Sequence, residues 1–151
     1  MHSLDQALGL IDNSDAEIVD LFKQLAAKYW PGPLTIVVRA NLAVIPSLIT
    51  AETGYIGIRM PNNEIALDLL RIFGKPIAAP SANKFGHVSP TKAEHVYKDF
   101  YQDSEVLIID GGNCSFGIES TVVKVTQDGK FNLLILRKGG VSIENLRETV
   151  R

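Results

Sequence analysis

SDAEIVDLFKQLAAKYWPGPLTIVVRA, residues 14–40, changes its hydrophobic period partway along. Ile18, Leu21, Phe22, Leu25 and Tyr29 recur at helical spacing behind Ser14-Asp15-Ala16-Glu17, which has the form of a capping box. Trp30-Pro31-Gly32-Pro33 must stop that helix, because proline lacks the N–H a helix interior needs. LTIVVRA at 34–40 then reads as a strand. A helix feeding straight into a strand, in a chain without repeat, low-complexity tract or linker, predicts one mixed α/β domain built around a sheet.

Outward from this stretch the alternation continues. YIGIRM at 55–60 predicts a second strand, with 41–54 left as a loop or short helix. Asn62 and Asn63 can cap a helix through Ile65, Leu69, Leu70 and Phe73 that ends at Gly74. PIAAP at 76–80 reads as a strand, and Ser89-Pro90-Thr91 as an N-cap with proline in the first turn, opening a helix to about Phe100. VLIID at 106–110 predicts another strand. STVVKVT at 120–126 and FNLLILR at 131–137, joined by an Asp128-Gly129 turn, predict a hairpin. Ser142 starts a closing helix.

Composition sets the outer limits. The chain has 151 residues, 46% of them hydrophobic, enough for one domain with a buried core. Fifteen Lys and Arg against 17 Asp and Glu leave a net charge of -2, no broad electrostatic basis for tight, sequence-independent nucleic-acid binding. The single cysteine, Cys114, excludes an internal disulfide framework and a cysteine-rich zinc site. No apolar run approaches the roughly 20 residues of a membrane span, and MHSLDQALGLIDNSD lacks the pattern of a signal peptide. A cytoplasmic protein without membrane contact is expected.

The richest chemistry sits in SANKFGHVSPT, residues 81–91. Taken alone, its hydroxyl and amide residues serve a loop by satisfying local backbone groups. Placed between a strand end and a helix start, it would also offer free N–H groups and a helix dipole to an anion. Lys84 and Lys92 flank that position, where a cation is unfavourable unless an anion pairs with it. Phosphate is the expected anion. IGIRMP, GGNCSFGIESTVV and LILRKGG add small residues and arginines at other strand ends.

WPGPLT, IGIRMP, PSANKFGHVSPT, GIESTVV and the LRKG ending, in this order and spacing, resemble the YrdC-like domain of threonylcarbamoyl-AMP synthases over almost the whole chain. The resemblance implies an α/β twisted open mixed sheet flanked by helices, with a concave binding cavity. It implies condensation of L-threonine, bicarbonate or carbon dioxide, and ATP into threonylcarbamoyl-adenylate and pyrophosphate. A threonylcarbamoyl-transfer complex would then pass the group to tRNA. The family's ATP contacts fall on Ser81, Asn83, Ser89 and Arg137, and its threonine contacts on Arg59, Ala79 and Ser120. No residue is implied as a nucleophile, and Mg²⁺ would arrive with ATP, held by phosphates and water. The family's N-terminal PT-x-T-x-YGL-like strand and Lys-x-Arg motif have no match here. The resemblance therefore implies an N-terminally incomplete domain, with weak ATP binding, little activity, and an open edge that favours self-association.

Alternatives stand beside these readings. Arg59 and Arg137 can be surface arginines, and Ser120 simple strand-start chemistry. Trp30 reads as packing, and His87, His95 and Cys114 show neither metal-ligand spacing nor a catalytic pairing. A YrdC-like module that binds double-stranded RNA or tRNA without chemistry, or an inactive remnant, is the competing function.

Overall fold

The computed structural model describes residues 1–114, 117–127 and 131–150, with the backbone alone at 131 and 132. Two compact units result, Met1–Ile77 with Ile118–Arg151, and Ala78–Gly117.

In the first unit, α1 (Leu4–Leu8) precedes α2 (Ala16–Tyr29), β1 (Leu34–Arg39), a short 3-10 turn at Ser47–Thr50, β2 (Tyr55–Ile58) and α3 (Glu64–Phe73). Asp15, not Ser14, caps α2, its carboxylate accepting from the N–H groups of Glu17 and Ile18. The capping box is thus replaced by a single aspartate cap, which adds charge complementarity to the helix dipole. Asn63 caps α3 through the Ala66 N–H, and Gly74 closes it in the left-handed region at φ 72. Both helix ends fall where the sequence predicts them.

β3 (Thr121–Gln127) and β4 (Phe131–Arg137) follow, then α5 (Ile143–Thr149), capped by Ser142 as expected. The sheet order is β2-β1-β3-β4: β1 pairs antiparallel with β2 and parallel with β3, and β3 pairs antiparallel with β4. The predicted hairpin is present, while its Asp128-Gly129 turn lies outside the described residues.

Alternation decides what each face does. Leu34, Ile36 and Val38 of β1, Ile58 of β2, and Thr121, Val123 and Val125 of β3 are buried. Phe22, Leu25 and Ala26 of α2, Ala7 of α1 and Leu146 of α5 complete this core. Each such aliphatic or aromatic side chain contributes about 1.5–3 kcal/mol by burial. Trp30 belongs here as read: its ring meets Phe22 edge-on at 5.5 Å, and its indole N–H donates to Leu34 O at 2.7 Å.

The second unit departs from the sequence reading in three places. Residues 76–80, which begin at the end of the first unit, form no strand. Pro76 and Pro80 both lack a donor, so the stretch cannot sustain a ladder. Residues 106–110 likewise form no strand, and Val106, Leu107 and Ile109 are exposed. An apolar run becomes a strand only where a neighbouring strand accepts its bonds, and none pairs with it among the described residues. Finally, α4 (Ala93–Phe100) starts later than expected, with Lys92 at its cap position and no side-chain cap bond. Ser89 is therefore not its N-cap. Among the described residues no helix is long and apolar enough to cross a membrane.

Candidate functional site

The same alternation that builds the core sends a second set of residues to the opposite face. Thr35 lies between the buried Leu34 and Ile36, and Ser120 shares the parity of Val122 and Lys124. Arg59 continues the parity of Tyr55 and Gly57 one residue past β2. Arg137 is the register partner of Val122, directly across the hairpin. Because β2 and β4 run antiparallel to β1 and β3, the end of β2, the start of β1, the start of β3 and the end of β4 meet at one end of the sheet. The register slips between Val122 and Val123, skipping Leu136, a bulge that re-aims the last residues of β4.

Side-chain bonds tie this cluster together. Arg137 donates from Nε to Ser120 O at 3.1 Å and from Nη2 to Ser120 Oγ at 3.0 Å. Ser120 Oγ also shares a hydrogen bond with Thr35 Oγ1 at 2.8 Å. Glu119 forms an ion pair with Arg137 Nη1. Arg59 donates from Nε to Gly32 O at 2.9 Å and has no ion pair among the described residues. Burial of its guanidinium, and secondarily the charge of Arg137, lowers the pKa of Arg59 from its ordinary value. It stays charged, because arginine begins so far above neutrality. Two guanidiniums that repel one another, one without a carboxylate, form an electrostatic invitation to an anion.

The backbone beneath is held without slack. Gly140 N donates to Glu119 O at 3.1 Å and Thr121 N to Pro33 O at 2.9 Å. Thr121 Oγ1 and Val141 exchange two bonds of 2.8 and 2.9 Å. A Cβ on Gly139 would lie 2.3 Å from Glu119 O, and one on Gly32 would lie 2.2 Å from Tyr29 O. Gly139 thus lets a distant chain segment approach closer than any side chain permits, and Gly32 permits a tight local turn after α2.

Within the second unit, Asn83 turns its amide inward, donating to Lys84 O at 3.0 Å and His87 O at 2.9 Å. Asp99 closes the same loop from α4, accepting from Lys84 N at 3.0 Å and meeting His87 Nδ1 at 2.8 Å. Ala79 and Ser81 are exposed, and Ser89 is half-buried four residues before α4. That position is outside the first helical turn, so the helix dipole does not act on Ser89 as expected. The Lys84 backbone bond, then the His87 bond, hold the Asp99 carboxyl below its ordinary 3.8. Those bonds are thus complete above the ordinary aspartate range and are lost as pH falls through the lower folded value. The Lys84 amide resonance should titrate with a midpoint under 3.8; a midpoint at or above the ordinary value would contradict the loop described here.

The structure brings Arg59, Ser120 and Arg137 into one cluster and places Ala79, Ser81, Asn83 and Ser89 in the other unit. Thr35, Glu119, Gly32 and Gly139 were not singled out by sequence, although WPGPLT and GIESTVV contain three of them. Surface depressions elsewhere, lined by Asp12, Asn13, Asn41 and Leu42 or by Asp15, Arg39, Tyr55 and Gln127, include none of the seven expected contacts.

Comparison with known proteins places these features. The family model Sua5_yciO_yrdC, described as telomere recombination, matches residues 1–139. Threonylcarbamoyl-AMP synthase of Pyrococcus abyssi is 43% identical over 134 residues, covering 89% of this chain and 38% of the relative. The synthase of Schizosaccharomyces pombe is 42% identical over 141 residues, 91% of this chain and 33% of the relative. The chain thus spans less than two fifths of either. The crystal structure of P. abyssi Sua5 complexed with L-threonine matches with a TM-score of 0.87 at 39% identity, over 99% of this chain and 42% of that one. E. coli YciO matches with a TM-score of 0.74 at 22% identity, over 95% of this chain and 66% of that one, a likeness of fold. With its four-stranded mixed sheet and these matches over nearly its full length, the chain belongs to the Sua5/YciO/YrdC family.

Proposed function

We propose that this chain carries the threonine-binding part of an L-threonylcarbamoyladenylate synthase, a nucleotidyltransferase that makes threonylcarbamoyl-AMP and pyrophosphate from L-threonine, bicarbonate and ATP for tRNA modification. One observation carries the reading: Arg59, Arg137, Ser120 and Thr35 converge at one end of the sheet. The substrates bring a carboxylate, a carbamate and phosphates to one place, and paired guanidiniums suit all three. In this reading Arg59 takes the threonine carboxylate on its Nη1 and Nη2 edge while its Nε stays on Gly32 O. The Ser120 hydroxyl, held by Thr35 and Arg137, would offer a second polar contact. Arg137 lends positive charge to the phosphate side.

The chemistry asks for orientation and charge neutralisation rather than a protein nucleophile. The threonine amine must reach the carbon of carbon dioxide, releasing a proton, or of bicarbonate, releasing water, and the carbamate oxygen must then reach the α-phosphate of ATP, with pyrophosphate leaving. Mg²⁺ would enter on the ATP phosphates. The cluster gathers guanidinium and hydroxyl groups, and its one carboxylate, Glu119, is paired with Arg137, so it suits phosphate and does not fit a resident metal ion. Contacts of Ala79 with threonine, and of Ser81, Asn83 and Ser89 with ATP, belong to the same proposal. Asn83 would first have to release the Lys84 and His87 carbonyls.

Heat unfolding with ATP and L-threonine, singly and together, tests the reading. The pair should raise the midpoint more than either ligand alone. No shift from any combination would refute it.

A further inference from the structure

We propose that Glu119 is an exchangeable counter-ion for Arg137, which a phosphate-bearing ligand must displace to grip that arginine with two hydrogen bonds; the proposal rests on the functional reading above. A guanidinium presents its five N–H groups along two useful edges. On Arg137 the Nε and Nη2 edge is taken by Ser120 O and Oγ. On the other side of the guanidinium, Nη1 is paired with the Glu119 carboxylate. Each of the three nitrogens of Arg137 therefore has a partner within the protein. Arg59 differs: Gly32 O takes only its Nε, leaving the Nη1 and Nη2 edge without a bond among the described residues.

The asymmetry sorts ligands by charge. Arg59 accepts a carboxylate directly, whereas two-point contact at Arg137 requires Glu119 to yield. The exchange is a side-chain event, since the backbone of Glu119 is fixed by Gly140 N and by the close approach of Gly139. The pair itself is loosely held, with side-chain exposures of 46% for Arg137 and 40% for Glu119, and ion pairs so exposed are weak. With Glu119 in place the cluster of two arginines and one glutamate carries net charge +1, and with it swung away the anion meets +2. A multiply charged phosphate gains more from that change than a single carboxylate does.

Calorimetric titration of inorganic pyrophosphate, ATP and L-threonine into the wild-type chain and Glu119→Gln tests this. Glutamine keeps the shape and removes the charge. Pyrophosphate and ATP should bind on the order of threefold tighter to the variant, with L-threonine changed by less than about twofold. In an Arg137→Gln background the gain should vanish. A gain that persists there reflects general charge and overturns the exchange. So does weaker or unchanged pyrophosphate binding in Glu119→Gln, or no binding by that variant at millimolar pyrophosphate. Failure of ATP and L-threonine to stabilise the wild type would instead sink the functional reading, leaving the pyrophosphate comparison to decide the exchange.

Discussion

Arg59→Gln should weaken L-threonine binding by tenfold or more while leaving the fold almost as stable. In the reading advanced here the carboxylate sits on the Nη1 and Nη2 edge, where charged hydrogen bonds are worth about 1.5–3 kcal/mol, and 1.4 kcal/mol is a factor of ten. Glutamine cannot supply that fork. Stability should change little, because the lost Arg59–Gly32 bond, 2.9 Å long, is offset by relief of repulsion from Arg137. Titration calorimetry for affinity and heat unfolding for stability separate the two effects. Arg71→Gln, which removes an exposed arginine paired with Asp68, is the control and should bind normally. Equal threonine affinity in Arg59→Gln and wild type would remove Arg59 from the site.

Gly139→Ala is expected to damage both the fold and the cluster. The new Cβ would lie 2.3 Å from Glu119 O, 2.4 Å from Ser120 C and 2.5 Å from Thr121 N, all backbone atoms with no rotamer to turn away. Relief requires the chain at 119–121 to move, which strains the Gly140 to Glu119 and Thr121 to Pro33 bonds and carries Ser120 away from Thr35. Overpacking of this kind costs about 3 kcal/mol, or roughly 6–12 °C in Tm for a chain of this length. Gly54→Ala provides the contrast. Gly54 has φ +74 but nothing within 4 Å of its would-be Cβ, so only the left-handed penalty of about 1–2 kcal/mol applies. A Gly139→Ala protein as stable as the wild type would mean that the close approach at Ser120 is not a constraint.

Local signals made most of the first unit legible. α2, β1, β2, α3, the hairpin and α5 each carry a period and a boundary residue, and each lies within a few residues of its expected place. α1 was missed because LDQAL is too short for a helical stripe, even though Ser3 caps it. PIAAP and VLIID misled for the opposite reason. Their composition is strand-like, but a strand is completed by a neighbour's bonds, and that neighbour is not encoded within the segment.

The site divides along the same line. Arg59, Ser120 and Arg137 stand out in sequence because they lie in the short motifs that carry the family resemblance. Thr35 does not, since its role arises from contact with Ser120, 85 residues away. Glu119 reads in sequence as a neighbour of Ser120 and only in space as the partner of Arg137. Gly139 looks like a turn residue until the backbone at 119–121 is seen passing against it. Asn83 lies in a motif that carries the family resemblance, while the bonds of its amide to the Lys84 and His87 carbonyls appear only in space.

The most direct test of the central claim, that the arginine cluster is where substrate binds, is a ¹H–¹⁵N spectrum of the arginine Nε groups during titration with L-threonine. The signals of Arg59 and Arg137, with the Ser120 amide, should move together and saturate, while Arg39 and Arg71 stay in place. Saturable shifts at Arg39 instead, or no movement of Arg59 at threonine concentrations that stabilise the protein, would contradict it.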